Sequence, residues 1–138
     1  MNAENIIVLF VVISIILILM ICGLTLFYNL KVNRCHKECA EYFKKREELN
    51  KYNNEVVQEY TRKADKIADT IDEKRKILSY LPDKERELIR EEIKILQKKY
   101  SHYVKEEQKA LKQYSQMLKE VEQAKPIKWK KFIDKEGI

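Results

Sequence analysis

The sequence predicts an all-α protein, in which a single N-terminal transmembrane helix is followed by a long helical hairpin or coiled-coil body. Two observations about charge point to the anchor. The stretch from Ile6 to Tyr28 contains no charged residue, and all 28 Lys and Arg residues lie at Lys31 or beyond. A third observation concerns the residues that form turns. The chain has only two glycines and two prolines, so its body lacks the turn residues that a β-rich fold or a glycine-rich phosphate loop would need.

Residues 6–28 are predicted to form the transmembrane helix. A helix of this length rises ~34 Å against a hydrocarbon core of ~30 Å, so it can span a bilayer with modest tilt. A cleaved signal peptide would have a basic N-terminus and small residues at its cleavage site. This chain instead begins Met-Asn-Ala-Glu-Asn and carries the bulky Ile21 before Cys22. We therefore expect the helix to be retained as an anchor.

The distribution of basic residues predicts the orientation of this anchor. No Lys or Arg precedes the apolar stretch, whereas several follow it directly between Lys31 and Arg46. Basic flanks tend to remain on the cytoplasmic side of a membrane. Residues 1–5 are thus expected to form a short extracytoplasmic N-terminus, and the body is expected in the cytoplasm.

Helix B is expected over residues 83–124, where apolar residues follow a strict four–three spacing that is typical of a coiled-coil seam. Leu88, Ile95, Val104, Leu111 and Leu118 flank the seam and widen its apolar face. The seam is the expected contact surface for a protein partner. The residues expected there are Ile89, Ile93, Leu96, Tyr100, Tyr103, Tyr114, Met117 and Val121.

Helix A is expected over residues 31–80. Its apolar residues, from Cys35 through Leu49 to Leu81, also fit a coiled-coil spacing, but Ala64 and Ile71 lie beside the seam and not on it. We interpret this drift as the pattern of a helix with close to 3.6 residues per turn, packed in a bundle.

A proline separates the two helices. Pro82 has no backbone donor and would clash with the carbonyl of Leu78 if helix A continued, but it suits the first position of a new helix. A kinked continuous rod and a helical hairpin are both compatible with this junction. Helix A would rise ~73 Å and helix B ~63 Å, and these similar lengths favour the hairpin.

Residues 125–138 form a basic and aromatic tail, which we expect to be non-helical after Ala124. In a soluble protein such a tail would be a docking segment. In a hairpin it would return to the membrane, where aromatic rings and lysines suit the headgroup region. The residues expected at the membrane interface are Lys128, Trp129, Lys130, Lys131 and Phe132.

Cys35 and Cys39 form the one cluster that could carry chemistry. The two thiols share a face of helix A, so packing is their simplest role. Alternatives are an interchain disulfide, zinc bound by four thiolates from two chains, or acylation next to the membrane. The sequence shows no nucleophile–base pair, and its basic residues are dispersed among acids. We expect no catalytic site, cofactor, metal ion, small-molecule substrate or nucleic acid.

These patterns favour a membrane-anchored helical scaffold that recruits or braces partner proteins through its helical faces. Its expected partners are the lipid bilayer, a protein bound along the helices, and further copies of the chain. One alternative is a lysis or fusion factor that resembles the phage inner-membrane spanins, with an extracytoplasmic body. Another is a stalk that resembles the b subunit of ATP synthase.

Overall fold

The computed structural model describes residues 2–138, and it confirms the prediction of an all-α protein, because this part of the chain contains helices and short connections but no strand. The helices are α1 (Ala3–Glu38), α2 (Ala40–Tyr52), a π-helical segment (Asn53–Val57), α3 (Gln58–Leu78), α4 (Asp83–Gln123) and α5 (Ile127–Glu136). The chain divides into two compact units. The first contains the residues up to Ala40 together with Pro126–Ile138, and the second contains Glu41–Lys125.

Helix α1 is long and apolar enough to cross a membrane. Every side chain from Asn2 to Lys31 is exposed, including large apolar ones such as Phe10 and Phe27. The helix does not end with the apolar stretch but continues through the first basic residues to Glu38. The predicted anchor and the beginning of helix A are therefore one continuous helix, which ends where Cys39 leaves helical geometry (φ −107°, ψ 25°).

The second unit is a helical hairpin, in which α4 packs against α3 and the π-helical segment. Near the turn, the Lys74 ammonium donates to Glu92 Oε2 at 2.6 Å. Further along, the Tyr52 hydroxyl donates to Gln113 Oε1 at 3.2 Å. Residue numbers thus rise along one arm as they fall along the other, which makes the arms antiparallel. The hairpin, and not the kinked rod, describes these residues.

The predicted seam of α4 is the side that becomes covered within this hairpin. Ile93, Ala110 and Val121 are buried, and most of the other seam residues are half-buried. Tyr100 is the exception, with 40% of its surface exposed. The strict spacing of the seam keeps it on one side of a helix 41 residues long.

A π-helical segment explains the irregular pattern of helix A. Buried residues follow a seven-residue spacing before it, at Tyr42 and Leu49, and again after it, at Val57, Ala64 and Ile71. Between Leu49 and Val57 the spacing is eight, and the π-helical residues Asn53–Val57 lie within this interval. A π turn accommodates one additional residue without ending the helix. The irregular pattern is therefore one discrete step, and not the periodicity close to 3.6 residues that the sequence predicts for helix A.

The hairpin turn lies at Ser79–Pro82, close to where the sequence predicts it. Pro82 (φ −59°, ψ 157°) precedes the first residue of α4, Asp83, and its carbonyl accepts the first helical hydrogen bond, from the Arg86 amide at 2.9 Å. Asp83 and Glu85 occupy the first turn, where acidic side chains interact favourably with the helix dipole.

The tail is helical, which corrects the expectation that residues after Ala124 are non-helical. Pro126 begins α5 in extended conformation, and Gly137 ends it with φ 65°, a conformation that glycine adopts without steric cost. Trp129 and Ile133 are buried and lie four residues apart on one face. Packing on that face explains a helix of ten residues, which would be marginal alone.

Candidate functional site

The first unit brings the C-terminal half of α1 together with α5. The Tyr28 hydroxyl donates to Glu136 Oε2 at 2.8 Å, and at the other end of the contact the Trp129 indole donates to Glu38. The two helices are therefore antiparallel, and the C-terminal end of α5 lies beside the last apolar turn of α1. This pairing joins residues about 100 positions apart in the sequence.

The contact between Trp129 and Glu38 is a second polar link between α1 and α5. Trp129, the single tryptophan of the chain, is 5% exposed, and its Nε1 lies 2.5 Å from Glu38 Oε2. The Lys128 ammonium approaches the same oxygen at 3.3 Å. The indole hydrogen bond, supported by Lys128 and Arg34, holds the pKa of Glu38 below its ordinary value. The interaction therefore favours an ionised carboxylate.

An open groove of about 650 Å³ lies between the two helices. We call it the α1–α5 groove. From α1 it is lined by the apolar residues Leu24 and Phe27, then by Tyr28 and Lys31. From α5 it is lined by Trp129 and Phe132, by Glu136, and by three lysines: Lys128, Lys131 and Lys135. Its wall thus combines apolar and aromatic side chains with four ammonium groups.

The positive charge of the α1–α5 groove is only partly neutralised, because Lys128 pairs with Glu38 just outside the lining. Four lysines line it, against a single carboxylate, Glu136, which accepts the Tyr28 hydroxyl. Lys31 places its ammonium 4.8 Å from the centre of the Phe132 ring, a distance that allows a cation–π interaction. Lys131 and Lys135 are exposed. The groove can therefore attract an anion that also carries an apolar part.

Cys35 and Cys39 pack inside the first unit. They are 0% and 1% exposed, and their sulfur atoms lie 3.9 Å apart. Burial, and then the hydrogen bond to Cys39, raises the pKa of Cys35 to about 11. A buried, protonated thiol is a poor nucleophile. This environment matches the packing role, while an interchain disulfide or acylation would first require these thiols to become exposed.

The residues expected at the membrane interface have different environments. Trp129 is buried and Phe132 half-buried, whereas Lys128, Lys130 and Lys131 are exposed. The lysines and the aromatic residues therefore do not form one uniform surface. The aromatic side chains hold α5 on α1, and the lysines are presented around them.

The residues expected to contact a protein partner mostly pack within the hairpin. Ile93 and Val121 are buried, Tyr100 is exposed, and Ile89, Leu96, Tyr103, Tyr114 and Met117 are half-buried. The flanking residues are the ones left available. Leu111 and Leu118 are 43% and 41% exposed, and they continue a seven-residue spacing from the half-buried Val104. We call Val104, Leu111 and Leu118 the α4 strip.

Sequence reasoning did not identify Tyr28, Lys31, Glu38, Lys135 or Glu136 as site residues. One signal was available, since Tyr28, Lys31, Cys35 and Glu38 follow the helical three–four spacing that places side chains on one face. The same spacing relates Trp129, Phe132 and Glu136. The sequence alone did not indicate that these two faces meet.

Comparison of the chain with protein-family models, with curated proteins and with solved structures finds no match.

Proposed function

We propose that this protein is a membrane-anchored helical scaffold without catalytic activity of its own, which binds other proteins along its helical hairpin. The observation that carries the proposal is the exposure of the whole apolar part of α1. No residue of the most apolar part of α1 is buried within the chain, although its mean hydropathy is 3.4. Exposed apolar patches of this size are rare on soluble monomers, whereas a bilayer covers them. Residues 6–28 therefore act as a transmembrane anchor.

The proposed orientation places the hairpin in the cytoplasm. Lys31, Arg34 and Lys37 follow the apolar residues of α1 within two helical turns, and no basic residue precedes them. Moving this basic flank across the bilayer is unfavourable.

The proposed protein partner is first of all a second copy of the chain. The α4 strip adjoins the seam that packs within the hairpin, so a second hairpin that covers the strip would extend the same apolar core into a four-helix bundle. A bundle of this kind would leave the charged outer faces of the hairpins for further proteins.

Membrane insertion and orientation can be tested together in cells that produce the full chain with a reporter after Ile138. The chain should resist extraction by alkaline carbonate, its reporter should behave as cytoplasmic, and external protease should leave the hairpin intact. A matched chain that lacks residues 6–28 should be extracted by carbonate.

Two results would contradict the proposal in different ways. Extraction of the full chain by carbonate would show that α1 is not an anchor. Digestion of the hairpin by external protease would retain the anchor but reverse the orientation, and a spanin-like lysis or fusion factor would then be the better assignment.

A further inference from the structure

We propose that the α1–α5 groove binds the headgroup of an anionic phospholipid. This inference rests on the proposed insertion of α1 into a membrane, and it adds a specific lipid site to the anchor. The occupant we assign is a lipid such as phosphatidylglycerol, whose phosphate would lie among the lysines and whose acyl chains would lie along α1.

The position of the groove along α1 suits a lipid headgroup. Leu24 and Phe27 are 67% and 69% exposed and belong to the last turns of the apolar stretch, while Lys31 is the first basic residue after it. About one helical turn, ~6 Å of rise over four residues, separates Phe27 from Lys31. The α1–α5 groove therefore lies at the level where the apolar part of a bilayer gives way to phosphate groups.

The arrangement of the lysines suits a phosphate group. Lys128, Lys131 and Lys135 follow a three–four spacing, which places them along one stripe of α5, and Lys31 approaches from α1. The only carboxylate in the lining, on Glu136, already accepts the Tyr28 hydroxyl. Lys128 also pairs with Glu38, so we assign the phosphate to Lys31, Lys131 and Lys135. The net charge of the lining is positive.

The apolar lining distinguishes a lipid from free phosphate. Both would bring the same phosphate chemistry to the lysines, but only a lipid has an apolar part to cover Leu24, Phe27 and the Phe132 ring. Water-exposed apolar surface contributes to binding when it is covered, whereas a small soluble anion leaves it exposed. A phospholipid uses both parts of the α1–α5 groove.

Lipid binding can be measured by native mass spectrometry on the full chain, purified in detergent and titrated with phosphatidylglycerol or phosphatidylcholine of the same acyl chains. Phosphatidylglycerol should bind more tightly. The double variant K131Q/K135Q should reduce that preference roughly thirtyfold, about fivefold for each of two lysines near an anionic lipid. The control K98Q/K99Q removes the same charge from exposed lysines of α4, which do not line the groove, and should keep the preference.

Trp129 reports whether α5 still packs on α1 in each variant, because it is the single tryptophan and is buried there. Its fluorescence emission should be unchanged in K131Q/K135Q. If the emission shifts to that of an exposed tryptophan, the single variant K31Q on α1 replaces the double variant, with a preference loss of several-fold expected.

The proposal is overturned if both lipids bind equally, or if the control variant loses the preference as strongly as K131Q/K135Q. Competition by soluble glycerol phosphate at concentrations equal to the lipid would overturn it in favour of a free phosphate ligand. None of these outcomes contradicts the proposed membrane anchor, provided that the full chain resists carbonate extraction. Extraction of the full chain by carbonate would instead contradict the proposed function.

Discussion

At the scale of single residues, the hydrogen bond from Trp129 to Glu38 has a predictable dependence on pH. The folded-state pKa of Glu38 is lowered, chiefly by the indole hydrogen bond, so α5 docking is stabilised by the ionised carboxylate. This stabilisation is fully present above the ordinary carboxyl pKa of about 4.3 and is lost as pH falls through the lowered value. We expect Trp129 emission to shift towards that of an exposed indole in this acid range.

The variant E38Q tests whether Glu38 is responsible for this transition. Its amide oxygen can still accept the indole hydrogen bond but does not titrate, so the emission of E38Q should change much less with pH over the same range. The control E41Q removes a carboxylate that pairs with Lys45 on α2. Its Trp129 emission should change with pH as it does in the unmodified chain. An unchanged acid transition in E38Q would contradict the assignment.

The burial of the Cys35 thiol leads to a second prediction at this scale. With its pKa raised to about 11 by burial and by Cys39, little thiolate is present near pH 8. Alkylation of Cys35 by iodoacetamide, followed by peptide mass spectrometry, should be at least about tenfold slower in the folded chain than in denaturant, because the thiolate is the nucleophile.

An exposed cysteine introduced by S115C on α4 serves as the control for this experiment. Its alkylation rate should be similar in the folded and unfolded chain. Rapid labelling of Cys35 in the folded chain would show that this thiol becomes exposed readily, and the acylation and disulfide alternatives would then regain support.

At the scale of elements, the π-helical segment can be removed without disturbing the buried face. Deleting the exposed Asn54 restores a seven-residue spacing between Leu49 and Val57, and thus a regular α-helix that keeps both in the hairpin interface. We expect this deletion to leave the hairpin folded with similar stability. Circular dichroism during thermal unfolding of the full chain in detergent measures this.

Deleting Lys66 is the matched control, because it is also exposed and helical but lies within a regular part of α3. There the deletion rotates Ile71 and the following turn by ~100° relative to Ala64, and removes a buried aliphatic side chain from the interface. Loss of such a contact costs about 2–5 kcal/mol. Equal destabilisation by both deletions would contradict the role of the π segment as a one-residue step.

At the scale of the whole molecule, the α4 strip predicts self-association. The double variant L111E/L118E places charges at two exposed leucines of the strip, so it should convert an oligomer into a monomer while the hairpin remains folded. The mass of the full chain in detergent, measured by light scattering, reports the change.

The variant L88E/I95E provides the matched control for the strip. Leu88 and Ile95 are also exposed and seven residues apart, but they flank the seam on its other side. This variant should remain oligomeric. If the unmodified chain is monomeric at high concentration, the strip does not bind a second copy, and a different protein must cover it.

Much of the architecture could be predicted because it depends on neighbouring residues. The apolar stretch before Lys31, the seam of α4 and the turn at Pro82 each follow from local composition or spacing. Helix periodicity and the missing amide hydrogen of proline act within a few residues. The sequence likewise shows the lysines of the tail as a group, but it does not show the groove that they line.

The remaining features depend on contacts between residues far apart in the chain. The tail becomes a helix because Trp129 and Ile133 are covered on one face, and Glu38 matters because Trp129 reaches it from 91 positions away. The effect of the extra residue in the π-helical segment also becomes clear only when α4 packs against the other arm and defines its buried face. By itself the sequence determined that the protein is helical, where its apolar stretch lies and which face of α4 is covered. The tertiary structure decided which distant faces meet, since burial is a property of the packed chain and not of local spacing.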